Sequence, residues 1–409
     1  MKRRHIVSLS HRRRRGERGA VLIHVAVALV GLLAFSMLVI DYGVMWAARN
    51  QAQNAADAAA LAAAVSLAYY DPDDIPRAKA AAIAAGQANL VWGQAPDITE
   101  ADVIIPWECP PGAPGLPDTC VRVNVYRNRG RDPLPVYFAP LVGITEQGVQ
   151  AMAVAQVLAT NASDCVKPFA IPDKWIERRD ADGNFLPKEW AWSDTFDRYS
   201  TKKPFGELDT PDRIDEYVPP DPAPAGLPGS GFTLDADAGT EVVLKWGNPH
   251  DTINPGWYFP VDLPRPGEPL PGGDNYRDNI ATCNGVPIRP GDVLQMEPGG
   301  MVGPTVQGIE ELIAPDPSYW DGDGPACPPD SSGCLSRRIV AIPVFDVDKF
   351  MLANINGREE FAIVKLMGFF IDGVTSKGEV RGYLVPFQGI YDGGGGQPSS
   401  FLRTVALVR

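Results

Sequence analysis

The chain has 409 residues, 45% of them apolar, with a formal net charge of −13, which leaves room for two modest domains with real cores. Of four histidines only His250 follows the first apolar run, which excludes His-rich zinc sites and an HExxH helix. Gly and Pro together make about a fifth of the chain, above the usual share, so many loops and short strands are expected.

Lys2, Arg3, Arg4, Arg12, Arg13, Arg14, Arg15 and Arg18 precede the uncharged run Ala20 to Ile40, AVLIHVAVALVGLLAFSMLVI, whereas only Arg49 follows it closely. At about 1.5 Å per residue this run spans roughly 30 Å, the thickness of a bilayer's hydrocarbon core. A single transmembrane helix is predicted over residues 20–40. The positive-inside rule puts the basic tail, residues 1–19, in the cytoplasm and the rest outside it, which implies a single-pass protein of the cytoplasmic (inner) membrane. With about +7 in the tail, the exported part carries about −20.

A cleaved secretory signal begins in a similar way. This run is longer than a signal's usual apolar core of about 7–15 residues, and an alanine-rich helical continuation follows instead of a polar cleavage region, so an uncleaved anchor is expected. Basic residues beside a span are explained by topology and anionic lipid, not by nucleic acid. Inside the span, His24 is expected to be neutral near the interface, and Ser36 to bond the preceding turn of its own helix.

Asp41 to Tyr70 contains no proline and is dominated by alanine, the best helix former, so span and continuation are predicted as one rod of roughly 75 Å carrying an alanine-rich stalk. The face formed by Ala52, Ala55, Ala56, Ala59 and Ala63 is nearly all methyl groups. It suits either a seam with other helices, hence a helix-mediated oligomer, or packing on its own domain. Asp71, Pro72 and Pro76 end the rod, and Arg77 to Trp92 is predicted as a second helix. Ala101 to Pro106 and Cys120 to Tyr126 are predicted hairpin strands joined by a PPGAPGLPD turn. With Pro135 to Leu141, an apolar segment, and Val149 to Leu158, a small-residue strand, they complete a small α+β domain over residues 41–160.

Residues 161–409 change in texture. From Cys165 to about Asp274 the chain is rich in Pro, Asp and Trp, with residues 219–231 as the clearest linker, and little regular structure is expected there. Arg337 to Phe345, Glu360 to Val374, Glu379 to Tyr391 and Phe401 to Val408 are predicted as an antiparallel β meander. The fold class predicted is α+β, with a loop-rich, mainly antiparallel β domain after the small one. Six cysteines, none in a CxxC pair, all follow the span, and an even number in an oxidising compartment favours disulfides. Cys109 with Cys120 and Cys327 with Cys334 each flank a Pro/Gly-rich turn, leaving Cys165 with Cys283 among about fifteen formal pairings.

Arg18 to Ala64 resembles the N-terminal signature of TadE/TadG-like proteins of the Flp, or tight-adherence, pilus apparatus. RGA leads into the span, Asp41 closes it, an aromatic and Arg49 follow, and QNAADAAALAAA supplies Gln53, Asn54, Ala55, Asp57 and Ala58 of the family phrase. PVYFAPLVGI (135–144) and VQAMAVAQV (149–157) are similar to the end of the first exported domain in such proteins. The resemblance implies a pilus-assembly component whose partners are the membrane and other pilus-assembly or pseudopilin subunits. Two departures stand beside it: Gly19 is followed at the fifth place by His24 instead of Glu, against processing by a prepilin peptidase, and no DxSxS metal motif of the von Willebrand A type occurs.

Catalytic chemistry is sparse. His250 lies in WGNPHDTINPGW without a GxSxG elbow, and no GxxxxGK[ST] loop is present, so neither a hydrolase nor the assembly motor is expected. Asp180, Asp182 and Asn184 in DADGN, and Asp321 and Asp323 in DGDG, offer hard oxygen ligands for calcium. Both lack the distal Glu of an EF-hand loop, and Asp-Gly turns arise for backbone reasons alone. No cofactor is implied. The reading is a non-enzymatic envelope scaffold of pilus assembly. A binding or adhesion module using the Trp- and Pro-rich loops between Cys165 and Trp257 is the alternative, and an exported hydrolase centred on His250 comes third.

Overall fold

A computed structural model describes residues 17–70, 72–113, 115, 118–177, 190–196, 215–220, 229–248, 253–266, 272–329, 336–352, 360–391 and 396–408. In chain order the elements are α1 (Glu17–Tyr69), α2 (Ile75–Ala88), β1 (Val103–Trp107), β2 (Cys120–Arg127), β3 (Val149–Ala159), β4 (Phe169–Pro172), α3 (Leu234–Asp237), β5 (Glu241–Trp246), β6 (Trp257–Asp262) and α4 (Gly273–Ala281). Then come β7 (Val293–Met296), α5 (Val302–Ile313), β8 (Tyr319–Trp320), β9 (Pro325–Ala326), β10 (Ile339–Phe345), α6 (Val347–Leu352), β11 (Glu360–Val374), β12 (Val380–Leu384), β13 (Phe387–Gln388) and β14 (Leu402–Val408). The chain is α+β. It forms two compact units interleaved in sequence: one holds residues up to Ala59, Ile83–Val103 and Val123–Ala153, the other Ala60–Ala82, Ile104–Arg122 and residues from Val154 onward.

In the first unit α1 is one unbroken helix through the predicted span and beyond. The apolar side chains described between Val21 and Ile40 are exposed, and the Ser36 hydroxyl donates to the Leu32 carbonyl at 2.9 Å, the self-bond expected of it. Burial begins abruptly at Asp41 and continues at Val44, Ala48, Ala52, Ala55, Ala56 and Ala59, a three-and-four spacing that marks one helix face. Of the two readings of the alanine face, packing on its own domain is the one the structure shows: the methyl face is interior. The packing there is so close that a Cβ on Gly86 of α2 would lie 2.3 Å from Ile98 Cδ1 and 3.2 Å from Ala59 Cβ. Only residues without bulk let the backbones approach this far. Arg127 at the end of β2 is buried and donates to the Val91 and Asp132 carbonyls at 2.5 and 2.6 Å. The buried Asp102 carboxylate accepts the Thr99 amide at 2.9 Å, and the Thr99 hydroxyl and Arg131 at 2.7 Å each.

The strands form a five-stranded sheet in the order β1-β2-β3-β14-β13 and, wholly within the second unit, a seven-stranded sheet in the order β10-β4-β6-β5-β12-β11-β7. Additional β10–β11 and β6–β7 pairings close the larger sheet on itself, so that β10, β4, β6, β5, β12 and β11 form a barrel with β7 bridging β6 and β11. Closure leaves these six strands no open edge. Phe169, Tyr258, Phe259, Phe345, Phe350 and Phe369 belong to the hydrophobic core built on the barrel's two faces. The predicted meander holds for β10, β11 and β12, which pair antiparallel in succession. Its fourth strand is corrected: β14 pairs antiparallel with β3, Arg403 opposite Ala159 through Val408 opposite Val154. The stretch expected to lack regular structure is corrected too, since it supplies β4, β5 and β6. Two junctions, β10–β4 and β5–β6, are parallel, which makes the barrel mixed.

Cys109 is bonded to Cys120 and Cys165 to Cys283, with Cα atoms 5.3 and 4.3 Å apart. Cys327 is also held in a disulfide, while Cys334 lies outside the described residues. Beside the second bridge the buried Lys167 donates from Nζ to the carbonyls of Asn279, at 3.2 Å, and Thr282, at the end of α4. Burial, and next the charge of Arg265, lower its pKa from 10.5 to about 7. Between those two values the unfolded chain holds a proton that the folded chain has released. Stability therefore rises with pH across that window, and the burial penalty is fully present below it. We expect the urea midpoint of the detergent-solubilised chain to climb from pH 7 upward, and Lys167→Met to flatten the climb. An unchanged slope in the variant would refute the assignment.

Candidate functional site

The site lies where the apolar run ends. Asp41 is the first charged residue after it, and its carboxylate reaches the start of a short 3-10 turn, Ala139–Val142. Oδ1 accepts the Tyr137 amide at 2.9 Å, and Oδ2 accepts those of Phe138 at 3.0 Å and Ala139 at 2.6 Å. These are unpaired donors at the opening of a turn, the groups a carboxylate satisfies best. Pro140 sits at the first turn, where its missing N–H costs nothing, and Gly143, at φ 87°, ends it in a left-handed conformation. Burial raises the pKa of Asp41, but the three amides outweigh it and hold the carboxyl below its ordinary 3.8. The stability this clamp contributes is present above the unfolded value and is lost as pH falls through the lower folded one.

From Asp41 onward Tyr42, Met45, Trp46, Arg49 and Gln53 follow at three- and four-residue spacing along one face of α1. Together with Gly148–Met152 they line an open cleft of about 750 Å³. Gln53 spans it, donating from Nε2 to Asp57 Oδ1 at 2.8 Å and to the Met152 carbonyl at 3.1 Å. Two residues earlier, on another face of the helix, the Gln51 side-chain oxygen accepts the Trp92 amide at 2.7 Å. Of the signature residues, Asp41, Gln53 and Asp57 therefore act as hydrogen-bonding hubs, and Ala55 is buried. Ala58 is half-buried, while Arg49 and Asn54 face outward. Sequence reasoning missed the acceptor role of Asp41 and its partners at 137–139. The signal available was the Pro-flanked segment PVYFAP, which cannot lie in a central strand.

What this arrangement does chemically is fasten backbone to helix. Among the described residues no group of three or more His, Cys, Asp or Glu could hold a metal ion. Asp321 Oδ1 accepts the amides of Asp323 and Gly324 at 2.9 Å each, closing its own turn. Asp180, Asp182, Asn184 and His250 lie outside the described residues. In the Trp-rich stretch Trp175, Phe196, Tyr217 and Phe232 are buried, and Trp175 donates to Glu177 at 2.7 Å. Among the described residues there, only Val243, Trp192 and Trp246 are exposed large hydrophobics, so those aromatics serve mainly as core.

Residues 19–66 match the Tad family, described as Flp pilus-assembly TadE/G-like, and residues 45–155 match a second family described as Tad-like Flp pilus-assembly. Asp41 falls in the first match and its three amide partners in the second, so the clamp ties the two matched segments together. No curated protein and no solved structure matches the chain. Residues 19–155 are thus similar to Tad-like proteins, a family of Flp pilus assembly.

Proposed function

We propose that the protein is a non-enzymatic, single-pass scaffold of Flp pilus assembly, with its N-terminus in the cytoplasm and residues 41–409 outside the inner membrane. The observation that carries this reading is the Asp41 clamp, which locks a helix long and apolar enough to cross a membrane to the folded Tad-like unit at the first charged residue after its apolar run. A scaffold needs this property, because a force or a partner acting on the span is passed directly to the first unit. The eight basic residues before the span support the orientation. Other single-span pilus subunits are the partners proposed, meeting the exposed apolar face between residues 21 and 40, since the alanine face is interior. The domain division at residue 160 is retained as part of this proposal: residues 41–160 carry the assembly role, and the disulfide-pinned, acidic part beyond is the exported head.

An in-frame deletion tests it. Sheared surface pili are expected to disappear while the pilin is still synthesised, and complementation is expected to restore them. Normal pili in the deletion strain would refute the scaffold role, and normal pili with weakened attachment to a solid surface would favour a binding module instead.

A further inference from the structure

We infer that the first unit rests on the bilayer itself, with Tyr42, Trp46 and Tyr137 forming an aromatic collar whose polar tips reach the phospholipid headgroup layer; this rests on the single-pass reading above. The three side chains are 60%, 63% and 54% exposed, although each belongs to a folded segment. Large aromatics left this open ordinarily have a partner. Tyr and Trp with an apolar body and a hydrogen-bonding tip are the side chains that a membrane–water boundary selects.

Depth is fixed by geometry. Tyr42 and Trp46 follow the end of the apolar run by about 3 and 9 Å along the helix axis. Helical side chains lean back toward the N-terminus, so both rings tip toward the span. Tyr137 is pinned to the same level because its amide lies 2.9 Å from Asp41 Oδ1. The headgroup region adds roughly 5–7 Å beyond the hydrocarbon on each side, the band into which these rings point. Ile144, 52% exposed just after the clamped turn, adds an apolar contact in the same segment. Tyr42 and Trp46 also line the cleft, and the exposed Arg49 stands next along that face.

The occupant is therefore lipid, by continuity: the collar extends a helix surface that is exposed at every described residue from Val21 to Ile40. A protein partner would be an alternative outcome of the test. The full chain is reconstituted into phosphatidylcholine–phosphatidylglycerol vesicles containing lipids spin-labelled either near the headgroup or at the chain end, and Trp46 emission is taken as the difference between parent and Trp46→Phe. Flotation of the chain with the vesicles is checked first. Loss of the Trp46 signal with the headgroup-proximal label and its retention with the chain-end label is the expected result. Floating protein whose Trp46 ignores both labels, or responds more to the chain-end label, overturns the collar while leaving the anchor intact. Protein that does not float overturns the anchor and the collar with it.

Discussion

An Asp41→Ala chain is expected to reach the membrane and accumulate there, yet to support no surface pili. The substitution removes the acceptor of three backbone amides at once, and the turn they open has no other group supplied for them. Unpaired donors in a partly buried segment are not tolerated, so residues 135–147 should detach from α1 and the span would lose its lock on the first unit. Asp41→Asn is a sharper probe, because it keeps the size, leaves one oxygen, and turns an N–H₂ donor toward donors. It should resemble the alanine variant far more than the parent. The readouts are pilus yield after shearing, and limited proteolysis, in which new cleavage between residues 135 and 147 should appear in both variants. Parental pili together with an unchanged cleavage pattern would dismiss the clamp as a functional element.

The largest stability effect should come from Asp173, which is fully buried beside the barrel. Its Oδ2 lies 2.6 Å from Lys365 Nζ and accepts the Tyr217 hydroxyl at 3.0 Å, while Oδ1 accepts the Phe232 amide at 2.7 Å. The backbone makes room for it at Gly231, whose φ of +98° disfavours other residues and where a Cβ would stand 2.7 Å from Oδ2. Asp173→Ala strands the Lys365 ammonium, with the Phe232 carbonyl, 2.6 Å away, as its hydrogen-bond partner. Removing one member of a buried pair costs about 3–5 kcal/mol, a large part of the roughly 5–15 kcal/mol that holds a typical domain together. Denaturant unfolding of the full chain should show this loss. Adding Lys365→Met to Asp173→Ala should recover part of it, because no uncompensated charge then remains. A double variant as unstable as the sum of its parts would show that the pair is not what matters there.

How much of this was legible in the chain depended on how long each pattern runs. The apolar run and the alanines after it extend over fifty residues, and α1 follows them closely. Strands β1, β2, β3, β10 and β11 alternate over enough positions to be found within a residue or two, whereas the segment read as one strand from Glu379 to Tyr391 holds β12 only over Val380–Leu384. By contrast β4 has four residues, and β5 and β6 have six each. They are set among Pro and Gly, and their partners are far away in sequence, so a local reading saw loops. The barrel's closure is a property of pairings such as β10 with β4 that no local period announces. At the site, the resemblance singled out Asp41 and Gln53 but not what they grip. A carboxylate's acceptor role toward amides nearly a hundred residues away leaves no spacing signature. The alanine face illustrates the opposite limit: composition showed that something packs closely there, and only the coordinates decide that it is the protein's own interior.

The pairing of β14 with β3 sets an order of events during synthesis. A chain made from its N-terminus presents β1, β2 and β3 first, but residues 154–159 of β3 receive their partner only once residues 403–408 have followed. The early strands thus wait, one edge exposed, through the passage of more than half the polypeptide, and the barrel in between has to fold during that wait. An unpaired strand edge invites association with other chains. A protein lacking β14 would therefore be sticky along β3, in the middle of its sheet, and the seven residues of β14 act as the latch over that edge.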